Sequence, residues 1–123
     1  MGMKAVFDTN ILIDYLNGVN LAKAELSKYN TKIISIITWM EVLVGVANRD
    51  EEKIIKDFLF QFQLSYLDRE VSEIAIDLKR KNKIKLPDAI IWATAIKENA
   101  FLITRNTKDF SATEKSIIVP YIL

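Results

Sequence analysis

The stretch KAVFDTN at residues 4–10 joins a short strand-forming run to a polar turn. The helical-looking segment ILIDYL at residues 11–16 follows it directly. Asp8 therefore lies at a strand-to-helix turn, which is the carboxyl edge of a sheet. Because open α/β folds bind their ligands at this edge, Asp8 is a candidate metal-binding residue.

Strand and helix signals alternate along the rest of the chain. Apolar β-type runs predict strands at residues 5–7, 33–37, 64–67, 101–104 and 117–119, with helical patterns between them. Such alternation is typical of a parallel sheet covered on both faces. We therefore expect an α/β fold, a single-domain α/β/α sandwich with a central parallel sheet of about five strands.

Three helical segments differ in how they are expected to pack. Residues 54–62 and 71–78 each carry one apolar stripe, which predicts amphipathic helices that cover the sheet. Residues 89–96 are apolar almost all round, which predicts a more deeply buried helix. Asp50 and Asp68 are the predicted N-caps of the two amphipathic helices.

Composition limits the chemistry before any motif is considered. The chain has 123 residues, of which 50% are hydrophobic and 27% charged, so one domain spanning 1–123 is expected. It contains no cysteine and no histidine. Any metal must therefore be held by oxygen, which favours hard cations such as Mg²⁺ or Mn²⁺. The net charge of +1 provides no global attraction for nucleic acid, so such binding would need a local basic patch or a metal.

No segment has the pattern of a secretory leader, and no apolar run approaches the roughly 20 residues needed to span a bilayer. On this basis we expect a soluble, cytoplasmic protein.

Two further acids, Glu41 and Asp88, have settings like that of Asp8, and each of the three has a simple capping explanation. Thr38 and Glu41 have the spacing of a capping box. Pro87 suits the first position of a helix, which would place Asp88 in its first turn, where the dipole favours a negative charge. Asp8 could cap the helix that follows it. For any one of these acids alone, capping is the favoured interpretation.

The three acids together favour a shared site. Each lies among large apolar residues with no adjacent Lys or Arg, so each would be costly to bury as an unpaired charge. A divalent cation would supply the missing positive charge. In a doubly wound sheet, the carboxyl ends of the first, second and fourth strands face one crevice at the topological switch point.

Four sequence blocks resemble the signature blocks of PIN domains, and most closely those of VapC-type toxin ribonucleases. They are DTN at 8–10, IITWMEVLVG at 36–45, LPDAII at 86–91 and LITRN at 102–106. The blocks span nearly the whole chain in the family's order. The resemblance implies an endoribonuclease dependent on Mg²⁺ or Mn²⁺.

The resemblance also implies which residues form the site. Asp8, Glu41 and Asp88 match the metal-binding acids of the family. PIN domains often place a fourth acid where this chain has Asn106, and the nearest carboxylate is Asp109. Two roles are open for Asp109, contact with a second metal or capping of the turn before Phe110, and one metal or two are equally compatible with the sequence.

The expected chemistry is phosphodiester hydrolysis by activated water. Asp8 and Asp88 would bind the metal, and Glu41 would bind it or act as the base. Four neighbours are expected to support these acids through hydrogen bonds: Thr9, Asn10, Thr104 and Asn106. The amide of Asn106 could also orient a water.

A basic segment precedes Asp88 and is the candidate RNA-binding region. Its members are Lys79, Arg80, Lys81, Lys83 and Lys85. The alternative is a solvated helix end, where basic residues are favoured by the dipole. The resemblance favours structured RNA, often transfer RNA.

The resemblance further implies a homodimer and a cognate antitoxin whose C-terminal segment covers the active site. Residues 58–62, FLFQF, have more apolar surface than one helix face needs, so they are a candidate contact for a partner. Core packing explains the same residues equally well.

Two other functions are alternatives to the endoribonuclease. A phosphatase-like or receiver-like domain using Asp8 as nucleophile or phosphoacceptor is disfavoured, because a second aspartate of the expected kind is missing beside it. A non-catalytic PIN-like scaffold that binds RNA or protein is the alternative that the asparagine at Asn106 keeps open.

Overall fold

A five-stranded parallel sheet forms the centre of the molecule, which a computed structural model describes at residues 3–110 and 114–123. The elements in chain order are β1 (Lys4–Phe7), α1 (Thr9–Leu16), α2 (Asn20–Leu26), β2 (Thr31–Ser35), α3 (Ile36–Val44), α4 (Arg49–Leu59), β3 (Gln63–Ser65), α5 (Arg69–Lys81), α6 (Leu86–Lys97), β4 (Phe101–Ile103) and β5 (Ile117–Ile118). The predicted α/β sandwich with five parallel strands is confirmed.

The strand order β3-β2-β1-β4-β5 places β1 in the middle of the sheet. Val6 of β1 pairs with Ile33 of β2 on one side and with Leu102 of β4 on the other. The chain runs outward from β1 through β2 to β3, and then returns to the opposite side of β1 with β4. This reversal is the predicted switch point, so the segments after β1, β2 and β4 lie at one edge of the sheet.

Alternate residues of the strands face opposite layers of helices. Phe7 and Ile34 belong to one core with Leu12 of α1, whereas Val6 belongs to a second core with Ile91 of α6. All five of these side chains are fully buried, and each contributes about 1.5–3 kcal/mol of burial free energy. The two layers fix β1, and hence Asp8, on both faces of the sheet.

The second strand ends two residues earlier than the sequence predicts. Ser35 has an extended backbone, and its side chain accepts a hydrogen bond of 3.0 Å from the backbone N–H of Ile37, so α3 begins at Ile36. The apolar pair Ile36 and Ile37 reads equally well as strand or helix, and the serine cap decides for helix. Thr38 therefore lies inside α3, and the predicted capping box is wrong.

The prediction that Asp50 is the N-cap of α4 is also wrong. Asn48, not Asp50, accepts a hydrogen bond from the backbone N–H of Glu51 at 2.9 Å. Asp50 lies in the first turn, where its charge is favoured by the helix dipole. Asp68 does cap α5, since it accepts from the backbone N–H of Val71 at 2.9 Å.

Helix α6 is the deeply buried helix that its sequence predicts. It packs between the sheet and α5, whose buried residues Val71 and Ala75 share a core with Ile90 and Ala93 of α6. Pro87 occupies the second helical position, because Leu86 is the first. Over the described part of the chain, no helix has the length and apolar character to cross a membrane.

Candidate active site

Asp8 follows β1 directly and caps α1. Its Oδ1 accepts a hydrogen bond of 2.7 Å from the backbone N–H of Thr9, and its Oδ2 accepts another of 2.7 Å from the hydroxyl of Thr104, which follows β4. Asp8 is only 4% exposed. The capping and buried-carboxylate interpretations therefore both hold for this residue.

Asp8 lacks the environment that usually keeps a buried carboxylate ionised. Burial raises its pKa, and the negative charge of Glu41 adds to that effect. Hydrogen bonds from Thr104, Thr9 and Asn10 oppose the rise without cancelling it. Neutral donors are thus insufficient, and a nearby cation would favour the charged form.

The hydroxyl of Thr104 is the centre of the hydrogen-bond network. It donates to Asp8 and accepts from the backbone N–H of Asn106 at 2.9 Å and from the side-chain amide of Asn10 at 3.3 Å. A hydroxyl has one donor and two acceptor positions, so its capacity is fully used. Asn10 also accepts from the backbone N–H of Arg105 at 3.1 Å. These bonds connect the ends of β1 and β4.

Glu41 reaches the same edge from α3. The hydroxyl of Thr9 donates to Oε1 of Glu41 at 2.6 Å and lies 3.2 Å from the hydroxyl oxygen of Thr38. Glu41 is exposed, whereas Asp8 beside it is buried. The glutamate is therefore tied to the β1 turn and not to the start of its own helix.

Asp88 lies in the first turn of α6 and is half-buried. Burial, the negative charges of Asp8, Asp109 and Glu41, and a hydrogen bond with Asp109 together raise its pKa to about 6. The structure therefore brings three other carboxylates within electrostatic range of Asp88. We refer to Asp8, Glu41, Asp88 and Asp109 as the acid cluster.

Asn106 holds Asp109 in this cluster. The side-chain amide of Asn106 donates to Oδ2 of Asp109 at 2.9 Å, and its carbonyl oxygen accepts from the backbone N–H of Asp109 at 3.2 Å. The hydrogen bond from Asn106, a hydrogen bond with Asp88 and the charges of Lys85 and Lys108 lower the pKa of Asp109. Asn106 thus caps the turn, and Asp109 supplies the carboxylate.

Within the described residues, Asp8, Glu41 and Asp88 carry negative charge without a basic partner, while the charges of Lys85 and Lys108 act on Asp109 without forming an ion pair. Across residues 3–110 and 114–123, no Lys or Arg forms an ion pair with any of the four members of the acid cluster. Within the same residues, no group of three acidic side chains is already arranged as a metal cage. The oxygen-only donors and the raised pKa of Asp88 nevertheless suit a hard divalent cation, because such an ion would relieve the repulsion between them.

Comparison with known proteins identifies the family of this chain. The family model of the PIN domain matches residues 5–116. The chain belongs to the PIN domain family. Ribonuclease VapC1 of Methanocaldococcus jannaschii is 34% identical over 112 residues, which cover 87% of this chain and 79% of that protein. This identity places the PIN domain described here with the VapC-type proteins.

Solved structures resemble this PIN domain over nearly its whole length. A toxin–antitoxin complex from Klebsiella pneumoniae contains a chain that is 41% identical, with a TM-score of 0.91 over 98% of this chain and 100% of that chain. FitAcB from Neisseria gonorrhoeae is 22% identical, with a TM-score of 0.78 over 97% of this chain and 99% of that chain. The second likeness is one of fold.

The basic segment at residues 79–85 borders Asp109 of the acid cluster. Its lysines and arginine are all exposed, and together with Asp109 the segment lines an open groove of about 680 Å³, the basic groove. Lys81 forms an ion pair of 3.0 Å with Asp77, one turn earlier on α5. The segment is therefore both the end of a helix and a wall of the site, so the two interpretations of the sequence are compatible.

Residues 58–62 divide between core and surface. Leu59 and Phe62 are buried, and Phe58 packs against them and stacks on Tyr15 at 4.7 Å between ring centroids. Phe60 is 69% exposed and contacts Trp39 at 5.3 Å. Core packing thus explains most of this segment, and Phe60 is the member whose exposed side chain could contact a partner.

One polar network has no counterpart in the sequence-based predictions. Asp14 of α1 is 5% exposed and accepts two hydrogen bonds from Arg105, of 2.6 and 2.9 Å, and one of 2.8 Å from the hydroxyl of Tyr121. The available signal was an acid three residues after the buried Ile11, on the apolar face of the helix. Its partners are distant in sequence, so no local pattern identifies them.

Proposed function

We propose that this PIN domain is a Mg²⁺- or Mn²⁺-dependent endoribonuclease that hydrolyses RNA phosphodiester bonds as the toxin of a toxin–antitoxin pair. The observation that carries the proposal is the acid cluster, four carboxylates at the switch point of the sheet, none of which forms an ion pair with a basic side chain of the described residues. Kinship with Ribonuclease VapC1 and with a chain of a toxin–antitoxin complex supports the activity and the biological role.

The metal would be held by Asp8 and Asp88, with Glu41 as a third ligand or as the base. A divalent cation in such a site offsets negative charge on the phosphate and lowers the pKa of a water molecule. Asp109 borders Asp88 and could contribute to a second metal. Because the chain lacks histidine, proton transfer would fall to a carboxylate, and the exposed Glu41 is the best placed for it.

Hydroxyl groups fix the orientation of these acids. Thr104 holds Oδ2 of Asp8, and Thr9 holds Oε1 of Glu41. The backbone N–H of Thr9 also holds Oδ1 of Asp8, so both oxygens of that carboxylate are oriented before any metal binds. This division of roles is that of a metal ligand and the group that orients it.

The substrate would approach along the basic groove. Exposed Lys79, Arg80, Lys83 and Lys85 provide positive charge beside Asp109, while the net charge of the chain is only +1. Attraction of a polyanion would therefore be local and directed to the acid cluster. Structured RNA, such as transfer RNA, is the substrate class that we propose.

Incubation of end-labelled RNA with the purified chain tests the activity. Fragments are expected with Mg²⁺ or Mn²⁺ and not with EDTA, and they should be absent for Asp88→Asn. Asp57→Asn is the matched control, since Asp57 is an exposed acid on α4 outside the cluster. If Asp88→Asn cuts as well as the control, or if EDTA has no effect, the proposal is wrong.

The non-catalytic scaffold is less well supported than the endoribonuclease. It depended on the missing acid at Asn106, and Asp109 places a carboxylate next to Asp88. RNA binding by the wild type without cleavage under any metal condition would favour the scaffold over the enzyme.

A small antitoxin is the partner that we propose for the surface next to Glu41. Ile13 and Leu16 of α1 are about two-fifths exposed, at 42% and 38%, and line a groove of about 230 Å³ that also includes Glu41 and Ile55. An apolar segment of the antitoxin in this groove would lie beside a metal ligand and block access to it. The co-encoded small protein is expected to inhibit cleavage by the wild type, and Leu16→Asp should reduce the inhibition.

A homodimer is also proposed, on the basis of the family resemblance. Sedimentation velocity of the purified chain would give twice the monomer mass of 14.1 kDa if the proposal is correct. A single species at the monomer mass across micromolar concentrations would contradict it.

A further inference from the structure

A second groove continues from the basic groove on the far side of Asp109. It has a volume of about 270 Å³, and its lining includes Asn82, Lys83, Trp92, Thr107, Lys108 and Asp109. We call it the tryptophan groove. Asn82, Lys83 and Asp109 line both grooves, so one continuous surface runs from the basic segment past Asp109 to Trp92.

Trp92 lies on the one face of α6 that the fold leaves open. Between Asp88 and Ile96, every residue of the helix is buried except Asp88, Trp92 and Ile96 themselves. Their spacing of four residues places them in one row along the helix. The indole therefore lies one turn from Asp88, on the same side of the helix as the acid cluster.

The indole ring of Trp92 is fixed by packing against Phe110 and the neighbouring cores. Phe110, which is 1% exposed, packs edge-on against Trp92 with 5.8 Å between ring centroids and 85° between ring planes. Trp92 also packs against the cores on both sides of α6. A fixed aromatic ring loses little conformational entropy when a flat group stacks on it.

The chemistry of the tryptophan groove fits one nucleotide unit. Its volume is just below the range of about 300–1,000 Å³ that is usual for pockets that hold whole drug-sized ligands. Lys83 and Lys108 are suited to phosphate groups, while Asn82 and Thr107 offer amide and hydroxyl groups to a base edge. Proteins recognise unpaired bases in RNA by this combination of an aromatic platform and polar groups.

We propose that the tryptophan groove is a subsite for one unpaired RNA base, which stacks on Trp92 while Lys83 and Lys108 contact the flanking phosphates. The inference rests on the proposed ribonuclease function and deepens it, because it predicts cleavage in single-stranded segments of a structured RNA. A base held here would fix the position of a neighbouring phosphate at the acid cluster.

Fluorescence of Trp92 itself provides the test. The chain has two tryptophans, so Trp39→Phe leaves Trp92 as the single fluorescent indole. This variant is titrated in EDTA with a seven-nucleotide oligouridylate and with an abasic oligomer of the same length and charge. The intact oligomer is expected to quench Trp92 and to bind at least about fivefold more tightly than the abasic one, as stacking of one base predicts.

Binding measured with fluorescently labelled oligomers extends the test to Trp92 variants in the otherwise wild-type chain. Trp92→Leu, which keeps an apolar side chain in the core, should lose the preference for the intact oligomer. Trp92→Phe, which keeps an aromatic ring, should retain part of it. Thermal unfolding of both variants checks that they remain folded.

Equal binding of the two oligomers, together with unchanged Trp92 fluorescence, would overturn the subsite. This result does not depend on a change at Trp92, and thermal unfolding of Trp39→Phe checks that this variant remains folded. Because EDTA prevents metal-dependent cleavage, failure of the subsite is distinguishable from failure of the proposed function. If the chain cuts RNA with Mg²⁺ but does not distinguish the oligomers, only the subsite is wrong.

Discussion

Asp8 and Asp14 are two buried aspartates, one at the start of α1 and one inside it, and their surroundings are opposite. Burial would raise the pKa of Asp14, but hydrogen bonds from Arg105 and Tyr121 and the charge of Arg105 hold it below its ordinary value. Burial raises the pKa of Asp8, and its neutral donors do not reverse this. The two aspartates are similarly buried, but the charge of Asp14 is balanced by Arg105, whereas the charge of Asp8 has only neutral hydrogen-bond donors.

The difference indicates what each aspartate does. Asp14 has its own cation, so its role is complete within the chain: it ties the C-terminal Tyr121 and the loop after β4 to α1. Asp8 belongs to a cluster of acids none of which forms an ion pair with a Lys or Arg among the described residues. Unfavourable charge kept at a ligand-binding edge is typical of a functional site.

Replacement of each aspartate by asparagine should separate the two roles most strongly. Asp8→Asn is expected to lower Mg²⁺-dependent RNA cleavage more than about 100-fold, because it removes a carboxylate that we propose as a metal ligand. Asp14→Asn should keep most of the cleavage at temperatures where the protein is folded, while its melting temperature falls. Initial rates and thermal unfolding measure the two effects. Equal loss of cleavage in two folded variants would contradict the distinction.

Replacement of Arg105, the cation that pairs with Asp14, is expected to have the next largest effect. Arg105→Ala is expected to destabilise the fold by about 2–3 kcal/mol, less than the roughly 3–5 kcal/mol of a fully buried pair, because Arg105 is 31% exposed. Tyr121→Phe removes one hydrogen bond and should cost about 1 kcal/mol. Urea unfolding measures both. An Arg105→Ala effect no larger than that of Tyr121→Phe would argue against a charge-based role for Arg105.

The acid cluster should make the stability of the metal-free protein fall as the pH rises, which is opposite to the effect of Asp14. The raised pKa of Asp88, about 6, means that the folded protein binds a proton more readily than the unfolded chain. The contribution of Asp88 to the stability of the metal-free protein is therefore fully present below about pH 4 and is lost as the pH rises through about 6. Asp88→Asn should remove this fall and stabilise the metal-free protein at pH 7.5 by about 1–2 kcal/mol, a value reduced for solvent screening.

The free energy of unfolding in EDTA between pH 4 and 8 tests this expectation, with Asp57→Asn as the control. The lowered pKa of Asp14 acts with the other sign, since its contribution is present above about pH 4 and is lost as the solution becomes more acidic. A wild-type stability that rises between pH 4 and 6 would show that repulsion in the acid cluster is not significant.

The hydroxyl of Thr104 should have the smallest effect, because it acts through Asp8. Thr104→Val leaves Asp8 without one donor and the backbone N–H of Asn106 without its acceptor, so cleavage should fall by about tenfold. Thr104→Ser keeps the hydroxyl and should restore most of the rate. If the serine variant is as slow as the valine variant, the methyl packing of Thr104 matters more than its hydrogen bonds.

Much of the fold was predictable because its signals are local. Asp8 at the end of a β-type run, the cap at Asp68 and the apolar helix at residues 89–96 each depend on neighbouring residues, and the structure confirms them. The boundary of β2 was not predictable from the apolar run alone, since Ile36 and Ile37 suit either strand or helix and the serine before them decides.

The site divides in the same way. The approach of Asp8, Glu41 and Asp88 is expected once the sheet is taken as doubly wound, because strand ends and helix starts of such a sheet share one edge. The bond from Thr9 to Glu41 and the network around Asp14 depend on side chains that are 32 and 91 or more residues apart. Such contacts arise only when the chain is folded, and no spacing in the sequence indicates them.

Binding of a divalent cation tests the central claim most directly. Calorimetric titration of Mn²⁺ or Mg²⁺ into the metal-free protein is expected to show saturable binding for the wild type and for Asp14→Asn, and none for Asp8→Asn. No saturable uptake by the wild type, or equal uptake by Asp8→Asn, would contradict the assignment of the acid cluster as a metal site.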